Sequence, residues 1–320
     1  MTAFAIQTRS LVKTYTVGGG EFFGGKTIRA VDGLSLNVPE GSIYGLLGRN
    51  AAGKTTTIRM AMGLARPTSG AIEVFGLNPT RDPERVSVLE QVGFVPEDKV
   101  LMGGTPRLQL QVNRAFYPGT WSDELARKVV DRLELPLDEA NLSLGNKTKV
   151  ALAAAIAQRS RLLILDEPTT GLDPVVLDQL LRLLVEDCTA DGRTIFLSSH
   201  QLTEIEQIAD HIGIMDRGKI LVEGRLDDIR SSFRRLTVTG ANLPTNGDSI
   251  LSTRRGAHAT QYVIQRHPEA FAHELARNGA TVVDSTPLSL NEIFLALCRT
   301  PDSQEAVGRE DEGTDSEESV

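Results

Sequence analysis

Apolar and polar positions alternate from Phe4 to Lys13 closely enough to predict a strand. A glycine-rich segment, TVGGGEFFGGKT, follows and reads as a loop with two aromatic residues inside it. LSLNVPEGSIYGLLG then gives two strand-like runs divided by the turn PEG. The second of these, SIYGLLG, is apolar on both faces, the pattern of a buried parallel strand. Residues 54–64 have helical character, and Leu162–Leu165 and RTIFLSSH (193–200) are further apolar strands. Strands therefore alternate with helices, which predicts an α/β fold around a mostly parallel sheet, with an antiparallel β region at the N-terminus. Beyond residue 230, RRLTVTGANL and TQYVIQR read as strands. PEAFAHELARNGA has helical periodicity and stops at Asn278-Gly279, and TVVDSTPLSLNEIFLALCR reads as strand, turn and helix. This predicts a small α+β extension over 231–300.

Composition narrows the class. The chain has 320 residues, room for two domains. No apolar run approaches the roughly 18–20 residues of a membrane helix. The first fifteen residues lack the charged-then-apolar order of a signal peptide. Cys188 and Cys298 have no metal-ligand spacing and are expected to be structural thiols in a reducing compartment. The net charge of −8 is concentrated: residues 301–320 hold eight acids and one arginine, which leaves the body near neutral. A near-neutral body argues against nucleic acid as a partner. The tail, without apolar anchors, is expected to be a disordered, solubilising segment.

Three segments carry chemistry. GRNAAGKTT places Gly48, Gly53, Lys54 and Thr55 in the phosphate-loop pattern between a strand and a helix. Glycines let the backbone approach a polyphosphate, and the helix N-terminus adds positive potential. Lys54 supplies a point charge for the β and γ phosphates and Thr55 a hydroxyl for Mg²⁺. RLLILDEPTTGLDP ends an apolar strand in Asp166 and Glu167. Two such acids are costly without a cation or proton. Mg²⁺ on Asp166 removes that cost, and Glu167, expected to face the other way along the strand, is placed to orient or deprotonate a water. His200 ends the third strand, at the edge of the sheet where ligands bind in such folds, and is able to donate to a γ-phosphate.

Taken together, GRNAAGKTT, VGFVPED, LSLGN, LLILDEP, TTGLDP and LSSH resemble the ordered motifs of the nucleotide-binding subunit of an ATP-binding cassette (ABC) transporter, over roughly residues 3–230. The resemblance implies a P-loop NTPase core, ATP and Mg²⁺ as cofactors, and an inserted helical subdomain at about 98–160. ATP-binding positions would be Tyr15, stacking on adenine, and Gly48, Arg49, Asn50, Ala51, Ala52, Gly53, Lys54, Thr55 and Thr56. Metal would be held by Thr55, Glu97 and Asp166, with Glu167 and His200 as the catalytic pair. In this family two cassettes pair head to tail. Ser143, Gly145 and Asn146 of LSLGN, with Asp173 of TTGLDP, would then contact ATP bound by the partner chain. Ser143 would cap a helix beginning near Asn146 and aim its dipole at that phosphate. A second ABC ATPase subunit, identical or not, and an integral-membrane permease are the implied partners, and the cytoplasmic face of the cell membrane is the implied location.

Three positions depart from the family pattern. Ala51 stands where glycine is usual, and costs about 1 kcal/mol if its φ is positive. Leu144 replaces the first glycine of the signature. Glu97 replaces a glutamine; it ligates Mg²⁺ equally well but adds negative charge near the γ-phosphate. Segments like LSLNEIF recur in the C-terminal extensions of export-type members, so export is the expected direction. Met102, Phe116, Tyr117 and Trp121 would form the core of the helical subdomain, and His258, His267 and His273 are expected at the surface. The competing reading is a soluble ABC-type ATPase with a regulatory, non-transport role. A single cassette, no coiled coil and a body that is not basic weigh against it, and the presence of both Glu167 and His200 weighs against a further reading, a regulatory nucleotide sensor that does not hydrolyse.

Overall fold

The computed structural model describes residues 3–17, 25–99, 104–188, 191–240, 243–244 and 247–298. Met102, most of the glycine-rich segment after Val17, the acidic tail and the side chain of Cys188 lie outside the described residues. The chain divides into two compact units, with the boundary after Ile229.

In the first unit, β1 (Phe4–Val17) is one long strand with a bulge at Ser10, whose φ is 45°. Before the bulge it pairs with β3 (Asn37–Pro39), beyond it with β2 (Lys26–Leu34), all antiparallel. The bulge shifts the register and lets one strand serve two partners. β2 is a strand that the alternation pattern did not predict: its first four residues are exposed, so one face carries no apolar signal. β4 (Ile43–Gly48) is buried at every position, as its two-faced apolar sequence requires. It runs into α1 (Lys54–Ala61), and β5 (Ser69–Val74) returns to pair with β1. α2 (Glu84–Leu89) and β6 (Val92–Val95) follow.

Three helices then form the inserted region: α3 (Pro106–Phe116), α4 (Asp123–Arg132) and α5 (Leu144–Ala157). Thr105, Ser122 and Ser143 cap them, each hydroxyl accepting from the N–H three residues on. Their buried residues include Ala126, Val129, Leu133, Val150 and Leu152 but not the aromatics expected there. Phe116, at the last turn of α3, is 72% exposed, and Tyr117 and Trp121 are half-buried. An aromatic at a helix end has no neighbouring turn to cover it, so type alone misplaced Phe116.

β7 (Leu162–Asp166), α6 (Pro174–Leu183) with a π-helical extension over Leu184–Cys188, β8 (Thr194–Ser199), α7 (Leu202–Ile208), β9 (His211–Asp216), β10 (Lys219–Arg225) and α8 (Leu226–Ser232) complete the order. The main sheet runs β10-β9-β4-β8-β7-β6. All neighbours are parallel except the β9–β10 hairpin. Tyr44 and Phe196 stack across β4 and β8 at 5.5 Å. The parallel register brings the C-terminal ends of β4, β7 and β8 side by side, with Leu47 opposite Ser199 and Asp166 opposite Ser198.

The second unit is a four-stranded antiparallel sheet ordered β12-β13-β11-β14, from β11 (Phe233–Thr239), β12 (Ile250–Arg255), β13 (Thr260–Gln265) and β14 (Thr281–Pro287). α9 (Pro268–Arg277) packs on it through Leu275 and Phe271, whose ring meets Tyr262 edge-on at 5.7 Å. α10 (Leu290–Leu297) opens with a reciprocal capping box between Ser289 and Glu292. β12 was not foreseen: its residues are half-buried or exposed throughout. His258, His267 and His273 are exposed.

Candidate functional site

Between β4 and α1 the chain must turn through a small radius. Ala51 takes φ 64° and Gly53 φ 110° to do so. A Cβ on Gly53 would collide with the Ala30 carbonyl oxygen, so glycine is required there for space as well as for φ. Ala51 has the positive φ that makes its Cβ cost about 1 kcal/mol. The loop fixes Lys54. Its Nζ donates to the Gly48 carbonyl at 2.8 Å and lies 3.2 Å from Glu167 Oε1, and the residue is only 6% exposed.

A cavity of about 410 Å³ opens over this loop. Tyr15, Asn50, Ala51, Ala52, Gly53, Lys54, Thr55, Thr56, Glu97 and Glu167 line it, joined by Ile28, Arg29, Ala30 and Arg217. Gly48 and Arg49 contribute carbonyls to Lys54 from beneath. Tyr15 is partly exposed, and the Lys13 ammonium sits 4.8 Å from its ring centroid.

Thr55 Oγ1 lies 3.3 Å from Asp166 Oδ1 and 3.4 Å from Glu97 Oε2. A hydroxyl and two carboxylates from three elements thus face one another at the rim of the loop. Among the described residues no three His, Cys, Asp or Glu side chains form a metal cage. A hard cation here would rest on these three oxygens and on oxygens of a bound nucleotide, the arrangement Mg²⁺ favours. Ser198 Oγ donates to Asp166 Oδ1 at 2.5 Å and fixes that carboxylate.

Glu167 does not face away by strand alternation. The strand stops at Asp166, and Glu167 takes φ 48°, a left-handed conformation in which a non-glycine residue needs outside support. Its N–H donates to Ser198 Oγ and to the Ser198 carbonyl at 3.1 and 3.2 Å. Its carboxylate is shared between Lys54 and His200, whose Nδ1 is 2.8 Å from Oε2. That pairing leaves His200 Nε2 as the ring nitrogen able to meet a ligand.

Residues that the motifs passed over complete the site. Lys99 is 6% exposed, and its Nζ donates to the carbonyls of Asp166 and Glu167 at 3.1 Å each. Burial pulls its ammonium below the ordinary lysine range, against the opposing pull of Asp166, Glu97, Glu167 and Asp98. Glu204 is buried beside Ser199, and burial raises its carboxyl above the ordinary range. Ser198 had a signal in LSSH, where a polar residue closes an apolar strand. Lys99 had a weaker one, a lysine following two acids in PEDK.

Ser143, Gly145, Asn146 and Asp173 are not part of this cavity. Ser143 Oγ accepts from Asn146 N at 3.1 Å and caps α5, which begins at Leu144, two residues earlier than expected. Gly145 packs against the Gly171 carbonyl, where a Cβ would approach to 2.6 Å, and Thr148 Oγ1 donates to the Thr170 carbonyl at 3.3 Å. Asp173 Oδ1 accepts from Val175 N and Val176 N at 3.0 Å, capping α6. Those bonds, the Val176 N–H foremost, hold its carboxyl below the ordinary range. The two capped helix starts therefore meet through the 168–173 loop, both facing outward: Ser143 and Asp173 are exposed, and Leu144 is 52% exposed.

Fold and site together define the class, a P-loop NTPase core built to hold a polyphosphate. The family model described as "ABC transporter" matches residues 31–170. The bacitracin transport ATP-binding protein BcrA of Bacillus licheniformis is 40% identical over 211 residues, 65% of this chain and 68% of that one. The daunorubicin/doxorubicin resistance ATP-binding protein DrrA of Streptomyces peucetius is 33% identical over 334 aligned residues, 93% of each chain. The bacterial ABC transporter cassette MJ0796, solved as a dimer, superposes with a TM-score of 0.60 at 26% identity, covering 69% of this chain and 98% of that one. The chain belongs to the ABC transporter family, as one of its ATP-binding, ATP-hydrolysing domains. Among the described residues no helix is long and apolar enough to cross a membrane.

Proposed function

We propose that this chain is the ATP-binding subunit of an ABC exporter. It hydrolyses Mg²⁺-ATP in a head-to-tail pair of cassettes and powers transport through a separate integral-membrane permease at the cytoplasmic face of the membrane. Residues 1–230 are the nucleotide-binding domain, with the helical subdomain at about 98–160, and 231–300 are its extension. The observation that carries the reading is the convergence of Lys54, Thr55, Glu97 and Glu167 on one cavity, with Asp166 3.3 Å from Thr55 and the start of α5 exposed elsewhere on the same unit.

The chemistry follows from these residues. Lys54 and the N–H groups of residues 50–56 neutralise the β and γ phosphates, and Tyr15 stacks on the base. Thr55, Glu97 and Asp166 would hold Mg²⁺, which supplies charge stabilisation for the departing phosphoryl group. Glu167 orients or deprotonates the attacking water, and His200, held at Nδ1, reports the γ-phosphate through Nε2. Ser143, Gly145, Asn146 and Asp173 serve the partner's nucleotide. The relatives named for bacitracin transport and drug resistance favour export.

The test is purification of the full chain from detergent-solubilised membranes. Co-purification with a multi-span protein that raises ATP turnover supports the reading. Recovery from the soluble pool alone, with turnover indifferent to any membrane protein, would favour a soluble ABC-type ATPase with a regulatory role.

A further inference from the structure

Glu167 occupies a conformation that its own backbone disfavours. Its φ of 48° comes directly after the last strand residue, and its carboxylate has to reach both Lys54 and His200. A non-glycine residue stays in that region only where its surroundings over-determine it. On the amide side, Ser198 takes the Glu167 N–H with both its hydroxyl and its carbonyl. On the carbonyl side, the neighbouring group is the ammonium of Lys99, 3.1 Å from the Asp166 oxygen and 3.1 Å from the Glu167 oxygen.

A buried lysine is costly, so its placement needs a reason. Lys54, the other buried lysine in the site, meets the Gly48 carbonyl and the Glu167 carboxylate from the floor of the phosphate loop. Lys99 instead spends two of its three donors on consecutive main-chain carbonyls, and the acids around it, Asp166, Glu97 and Glu167, supply the compensating charge. A single cation bonded to successive carbonyls fixes the orientation of both peptide planes, and through them the direction of the Glu167 side chain.

We propose that Lys99 is a positioning residue for Glu167, clamping the left-handed turn that aims its carboxylate. Lys99 also lies between β6 and α3, on the segment that carries Glu97. The clamp therefore ties that segment to the end of β7 through the main chain. This inference rests on the water-activating role given to Glu167 above.

The experiment measures ATP turnover and equilibrium Mg²⁺-ATP binding by the full chain as wild type, Lys99→Met, Lys99→Arg and Glu167→Gln. Misplacing a reacting group by about 1 Å costs on the order of 100-fold. Lys99→Met is therefore expected to lower kcat roughly 30- to 100-fold while Kd for Mg²⁺-ATP moves less than about 3-fold, and Lys99→Arg, which restores donors and charge, recovers much of the loss. Lys99→Gln, which keeps a donor, takes the place of the methionine variant if that one does not fold. Wild-type kcat in the neutral variant, or equal losses in kcat and in binding, would overturn the clamp. Glu167→Gln separates the two layers. If it is inactive while Lys99→Met is fully active, only the role of Lys99 falls; if it turns over normally, the reading of Glu167 falls and the clamp falls with it.

Discussion

Two helix starts in this unit are proposed to meet an anion, and they are finished differently. α1 begins at a glycine with φ 110° and no side-chain cap, above a buried lysine and within reach of three carboxylates. α5 begins at a serine cap, with an exposed leucine next and no cation or acid contributed by the segment Leu142–Asn146. The first is a complete cradle, closed on itself by Lys54, Glu167 and Thr55. The second offers only dipole, N–H groups and a hydroxyl. A helix N-terminus is thus a starting material: what the neighbouring elements add decides whether one chain suffices. In the proposed pairing the second start is completed by the other chain's nucleotide.

The largest effect should come from breaking the complete cradle. Lys54→Ala removes the buried ammonium and leaves Glu167 without one partner. Loss of one charge-assisted contact costs roughly 1.5–3 kcal/mol, about 10- to 150-fold in ATP affinity, and turnover should fall by at least 100-fold. Phosphate release and nucleotide titration on the purified variant check this, and near-normal turnover would remove Lys54 from the site.

The incomplete start is broken from the other side. Glu167→Gln should bind Mg²⁺-ATP, fail to cleave it and accumulate as a closed dimer, because ATP bound only by the dimer stabilises it by mass action. Adding Ser143→Arg should abolish that dimer. Ser143→Ala is the sharpening control: it loses the cap, about 1 kcal/mol, and the hydroxyl, but keeps the helix dipole and N–H groups, and should weaken the dimer without eliminating it. Light scattering with ATP and with ADP reads the size. A monomer in ATP, even with the permease supplied, would end the claim that α5 serves a partner.

Glu97 sharpens the comparison within the cradle. Its charge looked uncompensated from sequence alone, which predicts faster hydrolysis for Glu97→Gln. Lys99 lies buried among Glu97, Asp166 and Glu167, and Coulombic effects of all three reach it. The charge is therefore offset in part, and an amide still offers an oxygen to Mg²⁺. Turnover of Glu97→Gln should stay within about 3-fold of wild type across a Mg²⁺ titration; a tenfold change would show that the balance is local to Glu97.

The smallest effect lies outside both helix starts and calibrates them. Glu292 caps α10 and pairs with Arg235 at 2.7 Å, and the Ser289 N–H and hydroxyl, with Arg235, hold its carboxyl at about 2 against an ordinary 4.5. A depressed carboxyl contributes stability above pH 4.5 and loses it as pH falls toward 2. Glu292→Gln should lower the melting temperature by roughly 2–5 °C at neutral pH. The gap to wild type should close between pH 4.5 and 2, with ATP turnover unchanged. A gap that persists at pH 2 would show that the carboxylate charge is not what the cap uses.

Among the strands whose two faces are both buried, β4, β7 and β8 emerged within one or two residues because every position carries the signal, whereas β6 and β9, buried in the same way, were not read as strands. Nor were β2 and β12, since an exposed face removes half the pattern, and β12 is half-buried or exposed throughout. The motif residues of the cavity were legible because glycine, lysine and paired acids have few other reasons to occur at that spacing. Lys99 was hardly so, since beyond its place after two acids in PEDK what it bonds is main chain, and a carbonyl leaves no trace in residue type. The turn of Glu167 was missed for a related reason: alternation gave it a direction, but the strand had already ended at Asp166.

Gly145 answers to its own chain before it meets any other. With the Gly171 carbonyl where a side chain would have to go, replacing it displaces the 168–173 loop that leads out of Glu167. A mutational scan scored on growth or transport would rank Gly145 among its most sensitive positions, and that sensitivity would arise even in a molecule that never found a partner. Leu144, exposed to solvent, carries no such double duty, and in the proposed pairing its phenotype would report on assembly rather than on folding; Ser143, which also caps α5, would report on both.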